Sequence, residues 1–186
     1  MLRSTLFLHG GNEFHADSAE FDQYFVNLIS GSRVGIFPGA SVSKRDSVAT
    51  VAFASGYFSL YGIELTEISD FTPEAIAEID VLIFPGGSPE KLLRELNPHK
   101  DALVEFLERG VIYGASAGAM VLGRGFAMGG SWHPGLALGD FEALVHFHGE
   151  LPARSGLMYG LPEGAGLAVA LSGEILAKSS GVLIRA

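Results

Sequence analysis

The chain has 186 residues, is 48% hydrophobic and 18% charged, and carries a formal net charge of −9. These values predict one folded domain with a substantial core, spanning residues 1–186, and they exclude a disordered chain. Because lysine and arginine are scattered and cysteine is absent, the composition argues against nucleic acid as a partner and excludes disulfides, thiolate metal sites and a thiol nucleophile.

The N-terminal apolar stretch within Met1–Gly10 is too short for a signal peptide. No run elsewhere in the chain is long enough to cross a membrane as a helix. We therefore expect a cytoplasmic protein that does not interact with membranes.

An apolar run followed by a glycine-rich turn recurs along the first part of the chain. Such runs, without polar alternation, are typical of strands buried on both faces of a parallel sheet. The segments are Leu6–Gly11, Val34–Gly39, Val81–Gly87 and Val111–Gly114. Because ligands bind outside the carboxyl ends of parallel strands, we expect these turns to border one crevice.

Helices are predicted between these strands, and their start and stop signals are clear at Pro73 and Gly110. The predicted helices are residues 18–28, residues 44–61, a segment beginning near Pro73 and residues 100–109. A further strand is predicted at Glu64–Ile68. The alternation of strand and helix predicts an α/β three-layer sandwich around a mostly parallel central sheet.

The pattern changes after Gly123. Residues 125–139 form a long glycine-rich stretch, and Phe141–Phe147 is predicted as a strand. The C-terminus predicts a β-meander with a turn at Ser172 and Gly173. Its strands are Leu167–Leu171, Glu174–Lys178 and Val182–Arg185.

A G-x-S-x-G pattern centred on Ser116 lies where the predicted strand ends and a small-residue segment begins. At such a corner the serine is presented to solvent, and the first N–H groups of the helix can stabilise an oxyanion. A glycine-rich turn with an incidental serine is the other interpretation of the motif.

A serine is a weak nucleophile unless a base accepts its proton. His146 and His148 lie in or just beyond the predicted strand after the serine, and they alternate across Phe147, so only one should reach Ser116. The carboxylate that orients the imidazole is either Glu163, in a Pro-Glu-Gly turn, or Glu150.

The order serine, histidine, glutamate differs from that of the α/β-hydrolases and fits the class I glutamine amidotransferase-like fold. Within that fold, the chain resembles the serine peptidases of family S51, which include dipeptidase E and cyanophycinase. The resemblance rests on segments that follow one another in the family's order. They are Gly10–Glu13, Phe84–Ser88, Gly114–Ala119, Val145–Phe147, Leu161–Gly164 and the terminal meander.

The resemblance implies that Ser116 is the nucleophile, His146 the base and Glu163 the orienting acid. It also implies an oxyanion hole formed by the N–H groups of Gly87 and Ala117. Short peptides, including dipeptides with an acidic first residue and aspartyl-linked peptides, are the implied substrates, and no cofactor is needed.

Several further residues are predicted to contact the substrate. Arg154 is a candidate for binding a substrate carboxylate, and Trp132 and His133 for lining the pocket or forming a lid. Gly86 and Ser88 border the oxyanion site. A metal site at Glu13 and His15 has no supporting ligand spacing, so we expect no metal. A homodimer is possible.

A second hypothesis is a non-catalytic domain of this fold that binds a small molecule or a partner protein. It is motivated by Ser88, where family members often have asparagine. Glutamine hydrolysis for a partner synthase is less favoured, because that chemistry in this fold normally uses the cysteine that this chain lacks.

Overall fold

The computed structural model describes residues 4–186 as a mixed α/β protein. The helices are α1 (Ala19–Ile29), α2 (Lys44–Ser59), α3 (Pro73–Ile76), α4 (Pro89–Leu96), α5 (Lys100–Arg109) and α6 (Ala117–Leu122). The first six strands are β1 (Thr5–His9), β2 (Val34–Ile36), β3 (Leu65–Glu67), β4 (Val81–Phe84), β5 (Val111–Ala115) and β6 (Gly125–Met128). The others are β7 (Ser131–Pro134), β8 (Glu142–Val145), β9 (Met158–Leu161), β10 (Gly166–Ala170), β11 (Ile175–Lys178) and β12 (Leu183–Arg185).

The central sheet has the strand order β11-β10-β1-β5-β4-β2-β3. The strands from β1 to β3 in this order are parallel, and β10 and β11 are antiparallel additions at one edge. His9 lies opposite Ala115, and Phe84 lies opposite Gly114. The carboxyl ends of β1, β5 and β4 are therefore level, and the turns that follow them meet at one edge of the sheet.

The strands at the centre of this sheet, β1, β2, β4 and β5, are buried along their whole length. Since successive side chains along a strand point to opposite faces, both faces of the sheet are covered there. Leu6 and Leu8 belong to the hydrophobic cluster that contains residues of α4, α5 and α6, whereas Phe7 belongs to the cluster that contains residues of α1 and α2. This arrangement confirms the predicted mostly parallel central sheet with helices on both sides.

A second sheet, with the order β12-β9-β8-β6-β7, packs against the α6 side of the core. It includes a hairpin, β6 and β7, turned by Gly129 and Gly130, both of which have positive φ. The hairpin lies in the glycine-rich stretch 125–139, for which the sequence predicted no element. Helix α4 was also missed, although Ser88 caps it and Pro89 occupies its first position.

The predicted C-terminal meander is wrong in its last strand. β10 and β11 form the expected hairpin, but β12 leaves the central sheet and pairs with β9. The chain turns at Gly181, which has φ +81°. Val182 is then buried in the core that it shares with Leu161 of β9, and this burial directs β12 to the second sheet.

The N-terminal prediction, that no signal peptide is present, falls partly on residues 1–3, which lie outside the described part of the chain. Within residues 4–186, no helix is both long and apolar enough to pass through a bilayer.

Candidate active site

The corner after β5 is sharp because Ser116 adopts φ 48° and ψ −111°, in the left-handed half of the backbone map. Such a conformation costs a non-glycine residue about 1–3 kcal/mol and is typically found at functional sites. Two backbone hydrogen bonds hold it. The Ser116 N–H donates to the carbonyl of His9 at 2.9 Å, and its carbonyl accepts from the N–H of Met120 at 3.0 Å.

The glycines beside this serine are required by close packing. A Cβ atom on Gly114 would lie 2.6 Å from the carbonyl carbon of Gly118, and one on Gly118 would lie 2.0 Å from the carbonyl oxygen of Phe84. The helix α6 therefore approaches the sheet at backbone contact distance, which explains why the motif is built from glycine and alanine.

His146 reaches Ser116 from the end of β8. The Nε2 atom of its imidazole lies 2.9 Å from the Oγ atom of Ser116. The residue leaves the strand with φ 49°, and its N–H donates to the carbonyl of Gly10 at 2.7 Å. Its ring packs over Gly11, where a Cβ atom would lie 2.2 Å from the Cε1 atom of the imidazole.

Glu163 completes a line of three side chains. Its Oε1 atom lies 2.8 Å from the Nδ1 atom of His146. The turn that carries it is tied to β1, because Gly164 N–H donates to the Gly11 carbonyl at 2.9 Å and Gly10 N–H donates to the Ala165 carbonyl at 2.9 Å. The glycine pair after β1 thus positions both His146 and Glu163.

This arrangement can activate a hydroxyl group. A carboxylate only accepts hydrogen bonds, so the proton between Glu163 and His146 resides on Nδ1 and leaves the lone pair of Nε2 facing Ser116. The side chains of His146 and Glu163 are 47% and 53% exposed, so substrate can approach the site but solvent weakens their electrostatic attraction.

His148 and Glu150, the alternative base and acid considered from the sequence, take no part in this line of hydrogen bonds. The predicted strand to Phe147 ends at Val145, so the expected alternation of His146 and His148 within a strand does not occur. His148 and Glu150 are exposed, and within residues 4–186 neither side chain makes a hydrogen bond or an ion pair.

The turn after β4 borders the serine from the other side. A Cβ atom on Gly86 would lie 3.2 Å from the Cβ atom of Ser116, and Gly87 adopts φ +139° with the Ala40 carbonyl packed against it. Among the described residues, no acceptor is bound to the N–H groups of Gly87 and Ala117. Both N–H groups are therefore available to an oxyanion.

Two more of the predicted substrate residues have structural partners at this turn. Gly86 N–H donates to the Oε1 atom of Glu13 at 2.7 Å. The Ser88 hydroxyl accepts from the Lys91 N–H at 3.2 Å and caps α4.

Trp132, His133 and Arg154 lie on and beside the second sheet. The guanidinium of Arg154 lies 4.0 Å from the centre of the Trp132 ring and also pairs with Glu142 at 3.4 Å. The ring of His133 stacks on Phe126. None of their hydrogen bonds, ion pairs or ring contacts involves Ser116, His146 or Glu163 within residues 4–186.

His9, a buried residue beneath the site, was not predicted from the sequence to belong to it. His9 is fully buried, and its Nδ1 atom accepts from the Gly11 N–H at 3.3 Å. Burial, and then the nearby charge of His146, lower the pKa of His9 to about 4. Its position at the end of β1, directly before the glycine pair, is the sequence signal that could have identified it.

Asp22 of α1 is a second buried group behind the same edge of the sheet. It accepts hydrogen bonds from the hydroxyls of Tyr113 and Tyr57, both at 2.8 Å. Burial raises the pKa of Asp22 to about 6, the two tyrosine hydrogen bonds oppose this rise, and the charge of Glu13 adds to it.

Glu13 and His15, the two residues considered for a metal site, contact other parts of the protein. Glu13 binds Gly86, and His15 packs against the ring of Phe53. Within residues 4–186, no group of three acidic or histidine side chains is arranged to hold a metal ion.

A sequence model of peptidase family S51 matches residues 6–151. The crystal structure of a peptidase from an acI-B1 Actinobacterium is 20% identical, with a TM-score of 0.72 over 91% of this chain and 84% of that chain.

A second solved structure, a protein assigned as a peptidase E from Listeria monocytogenes EGD-e, is 18% identical, with a TM-score of 0.69 over 98% of both chains. At these identities the two structures show that the fold is shared. No significant match to a curated protein sequence was found.

Proposed function

The chain belongs to peptidase family S51 and is a serine peptidase, and we propose that it hydrolyses short peptides through Ser116, His146 and Glu163. The observation that carries the proposal is the continuous chain of two hydrogen bonds, 2.9 Å from Ser116 to His146 and 2.8 Å from His146 to Glu163. Both distances lie within the range required for proton transfer between a nucleophile and its base.

In the proposed mechanism, His146 Nε2 accepts the hydroxyl proton as Ser116 Oγ attacks the carbonyl carbon of the scissile bond. Glu163 holds the imidazole in the required tautomer and stabilises its positive charge. His146 then donates the proton to the nitrogen of the leaving amine as the C–N bond breaks. Water, deprotonated by the same imidazole, hydrolyses the acyl-enzyme and releases the acid.

The negative charge on the tetrahedral oxygen is assigned to the N–H groups of Gly87 and Ala117. Their lack of acceptors among the described residues supports this assignment. The N–H of Ala117 is also the first of α6, where the partial positive charge of the helix end favours an anion.

The finer substrate preference rests on the resemblance to dipeptidase E and cyanophycinase. We propose dipeptides with an acidic first residue and aspartyl-linked peptides as the substrates to examine first. We propose Arg154 as the ligand for a substrate carboxylate. The proposed pocket residues are Trp132, His133, Gly86 and Ser88. We also propose that the chain is a single domain of the class I glutamine amidotransferase-like fold. A cytoplasmic location and a homodimer are part of the same proposal.

A serine-directed fluorophosphonate probe tests the mechanism together with a pool of short peptides. Wild-type protein should be labelled and should hydrolyse members of the pool, whereas Ser116→Ala should do neither while it keeps its unfolding midpoint. Ser180→Ala, which removes an exposed hydroxyl without a hydrogen bond among residues 4–186, is the matched control and should behave as wild type. Well-folded wild-type protein that is neither labelled nor active would favour the non-catalytic binding domain.

A further inference from the structure

His9, at the end of β1, is a buried histidine that the proposed mechanism does not use. Its side chain is fully enclosed, with the rings of Phe21 and Tyr113 at centroid distances of 6.1 and 6.2 Å. Within residues 4–186, its Nε2 atom has no hydrogen-bond partner. An unpaired polar group in the interior costs about 1–3 kcal/mol, so an apolar side chain at this position would leave the fold equally stable or more stable.

The imidazole of His9 makes one hydrogen bond in the described part of the chain. The Gly11 N–H donates to its Nδ1 atom at 3.3 Å. Because Nδ1 accepts, it carries no proton, and the ring is the neutral tautomer with its proton on Nε2. Burial, and then the nearby charge of His146, lower the pKa of His9 to about 4, so this acceptor is present at neutral pH.

The N–H of Gly11 depends on this acceptor. Gly11 is buried and adopts φ +117° just beyond the end of β1, and among residues 4–186 its N–H has no other acceptor. Buried backbone N–H groups in native proteins are almost always paired. The ladders of β1 with both of its neighbouring strands end at His9, so the side chain of His9 supplies the partner that the sheet no longer provides.

The peptide group between Gly10 and Gly11 connects His9 to the base. Its N–H is bound to the imidazole of His9, and its C=O accepts the N–H of His146 at 2.7 Å. A trans peptide group is planar, with its N–H and C=O pointing in opposite directions, so holding one fixes the direction of the other. Because a glycine lies on each side, the backbone itself restricts this plane weakly, and the two hydrogen bonds determine its orientation.

We propose that His9 is a positioning residue that fixes the plane of the peptide between Gly10 and Gly11. The carbonyl of this peptide in turn holds the backbone of His146, whose Nε2 atom lies 2.9 Å from the Oγ atom of Ser116. Without the Nδ1 acceptor the peptide turns, its carbonyl leaves the His146 N–H, and the base moves out of reach of the hydroxyl. The inference rests on the proposed function and extends it to a residue that acts only through another.

The nucleophile is bound to His9 as well, but through the main chain. The His9 carbonyl accepts the N–H of Ser116 at 2.9 Å. His9 therefore holds the nucleophile corner with its backbone and the loop beneath the base with its side chain. A substitution at this position leaves the backbone contact in place, so it tests the contribution of the imidazole separately.

The test replaces the imidazole by side chains with and without an acceptor on Cγ. His9→Leu fills the space with an apolar group, whereas His9→Asn keeps an oxygen on Cγ, where histidine has Nδ1. His9→Leu should lower kcat for the best peptide by about 10- to 100-fold with little change in KM, because a misplaced base slows the chemical step and not binding. The rate of fluorophosphonate labelling of Ser116 should fall by a similar factor, and His9→Asn should recover most of it.

A purely structural role of His9 predicts a different result. His9→Leu removes the unpaired Nε2 N–H, so its thermal unfolding midpoint at pH 7 should equal or exceed that of the wild type while its activity falls. Phe7→Leu is the matched control, because Phe7 is fully buried on the same face of β1 and packs against the ring of Phe25. It should lower the midpoint and keep the wild-type kcat and labelling rate.

Two results would overturn the inference alone: a His9→Leu variant with the wild-type kcat and labelling rate, or a folded His9→Asn variant as slow as His9→Leu. If His9→Asn does not fold, Phe7→Leu decides, because an equal loss of labelling there would assign the effect to core packing and overturn the inference. His9→Met, with a flexible apolar side chain, replaces His9→Leu if the latter does not fold. A wild type that is neither labelled nor active would instead remove the proposed function, and this inference with it.

Discussion

The imidazole of His146 occupies the space that a side chain at Gly11 would need. A Cβ atom at Gly11 would lie 2.2 Å from Cε1, 2.6 Å from Nδ1 and 2.9 Å from Nε2 of this ring. The absence of a side chain at Gly11 therefore allows the imidazole of His146 to lie against the backbone, with Nε2 directed at Ser116.

Gly11→Ala should displace His146 and lower kcat/KM by about 100-fold or more, since small displacements of a catalytic group have effects of this size. The rate of fluorophosphonate labelling should fall with it. Gly149→Ala is the matched control, because Gly149 also has a positive φ, +101°, but has no atom within 4 Å of its added Cβ. It should lose some stability and keep its activity. Equal losses of activity in both variants would show that backbone strain, and not contact with His146, is responsible.

His146→Ala should lower the rate by roughly 10³-fold or more, as removal of the base does in other serine hydrolases. His148→Ala should leave it unchanged, because this side chain is exposed and makes no hydrogen bond in the described structure. Steady-state hydrolysis of the best peptide measures both. A larger defect in His148→Ala would reverse the assignment of the base.

Glu163→Gln should lower kcat by roughly 100-fold, near the lower end of the range for loss of acid–base assistance. The amide cannot stabilise the protonated imidazole, but the solvent that reaches this 53% exposed side chain replaces part of its effect. Glu150→Gln makes the same chemical change at an exposed position and should have no effect. If kcat falls in Glu150→Gln and not in Glu163→Gln, the orienting acid has been wrongly assigned.

The two buried groups behind the site should make opposite contributions to stability between about pH 4 and 6.5. Folding raises the pKa of Asp22 from 3.8 to about 6, so its stabilising contribution is complete at low pH and is lost as the pH rises through 6. Folding lowers the pKa of His9 from 6.5 to about 4, so its contribution is complete above pH 6.5 and is lost as the pH falls through 4. Each change is about 3 kcal/mol.

Single substitutions should reveal each contribution. In Asp22→Asn the free energy of unfolding should rise by about 3 kcal/mol from pH 4 to 6.5, because His9 still titrates. In His9→Gln it should fall by a similar amount between pH 4 and 6. Urea unfolding across this range measures both slopes, and Asp17→Asn, at an exposed position, supplies the baseline. Identical pH profiles in Asp22→Asn and His9→Gln would contradict the assigned shifts.

The strands of the central sheet were predictable because each is a short apolar run bounded by glycine, and a strand buried on both faces needs no polar alternation. Helix α5 was predicted with its observed bounds, Lys100–Arg109. The β6–β7 hairpin was not, because its glycines at 129 and 130 indicated a loop and its strands are only partly buried.

Those features of the site that depend only on neighbouring residues in the sequence were predictable. The corner serine follows from the glycines and alanines on either side of it, and the absence of cysteine restricts the nucleophile to a hydroxyl. The choice between His146 and His148 could not be made locally, because the sequence pattern continued the strand through Phe147. The strand ends at Val145 because His146 adopts φ 49°. A positive φ is uncommon for any residue other than glycine, so the local sequence does not indicate it.

What the sequence by itself determined is therefore the α/β alternation, the serine at the end of β5 and a short set of partners for it. Only the tertiary structure decided which partners meet, since Gly10 and Gly11 are bound to His146, Gly164 and Ala165 through backbone hydrogen bonds and packing over long sequence separations. Hydrophobic patterning acts over a few neighbouring residues. Contacts between distant segments form only when the sheet brings their ends to one edge, and that step depends on the whole core.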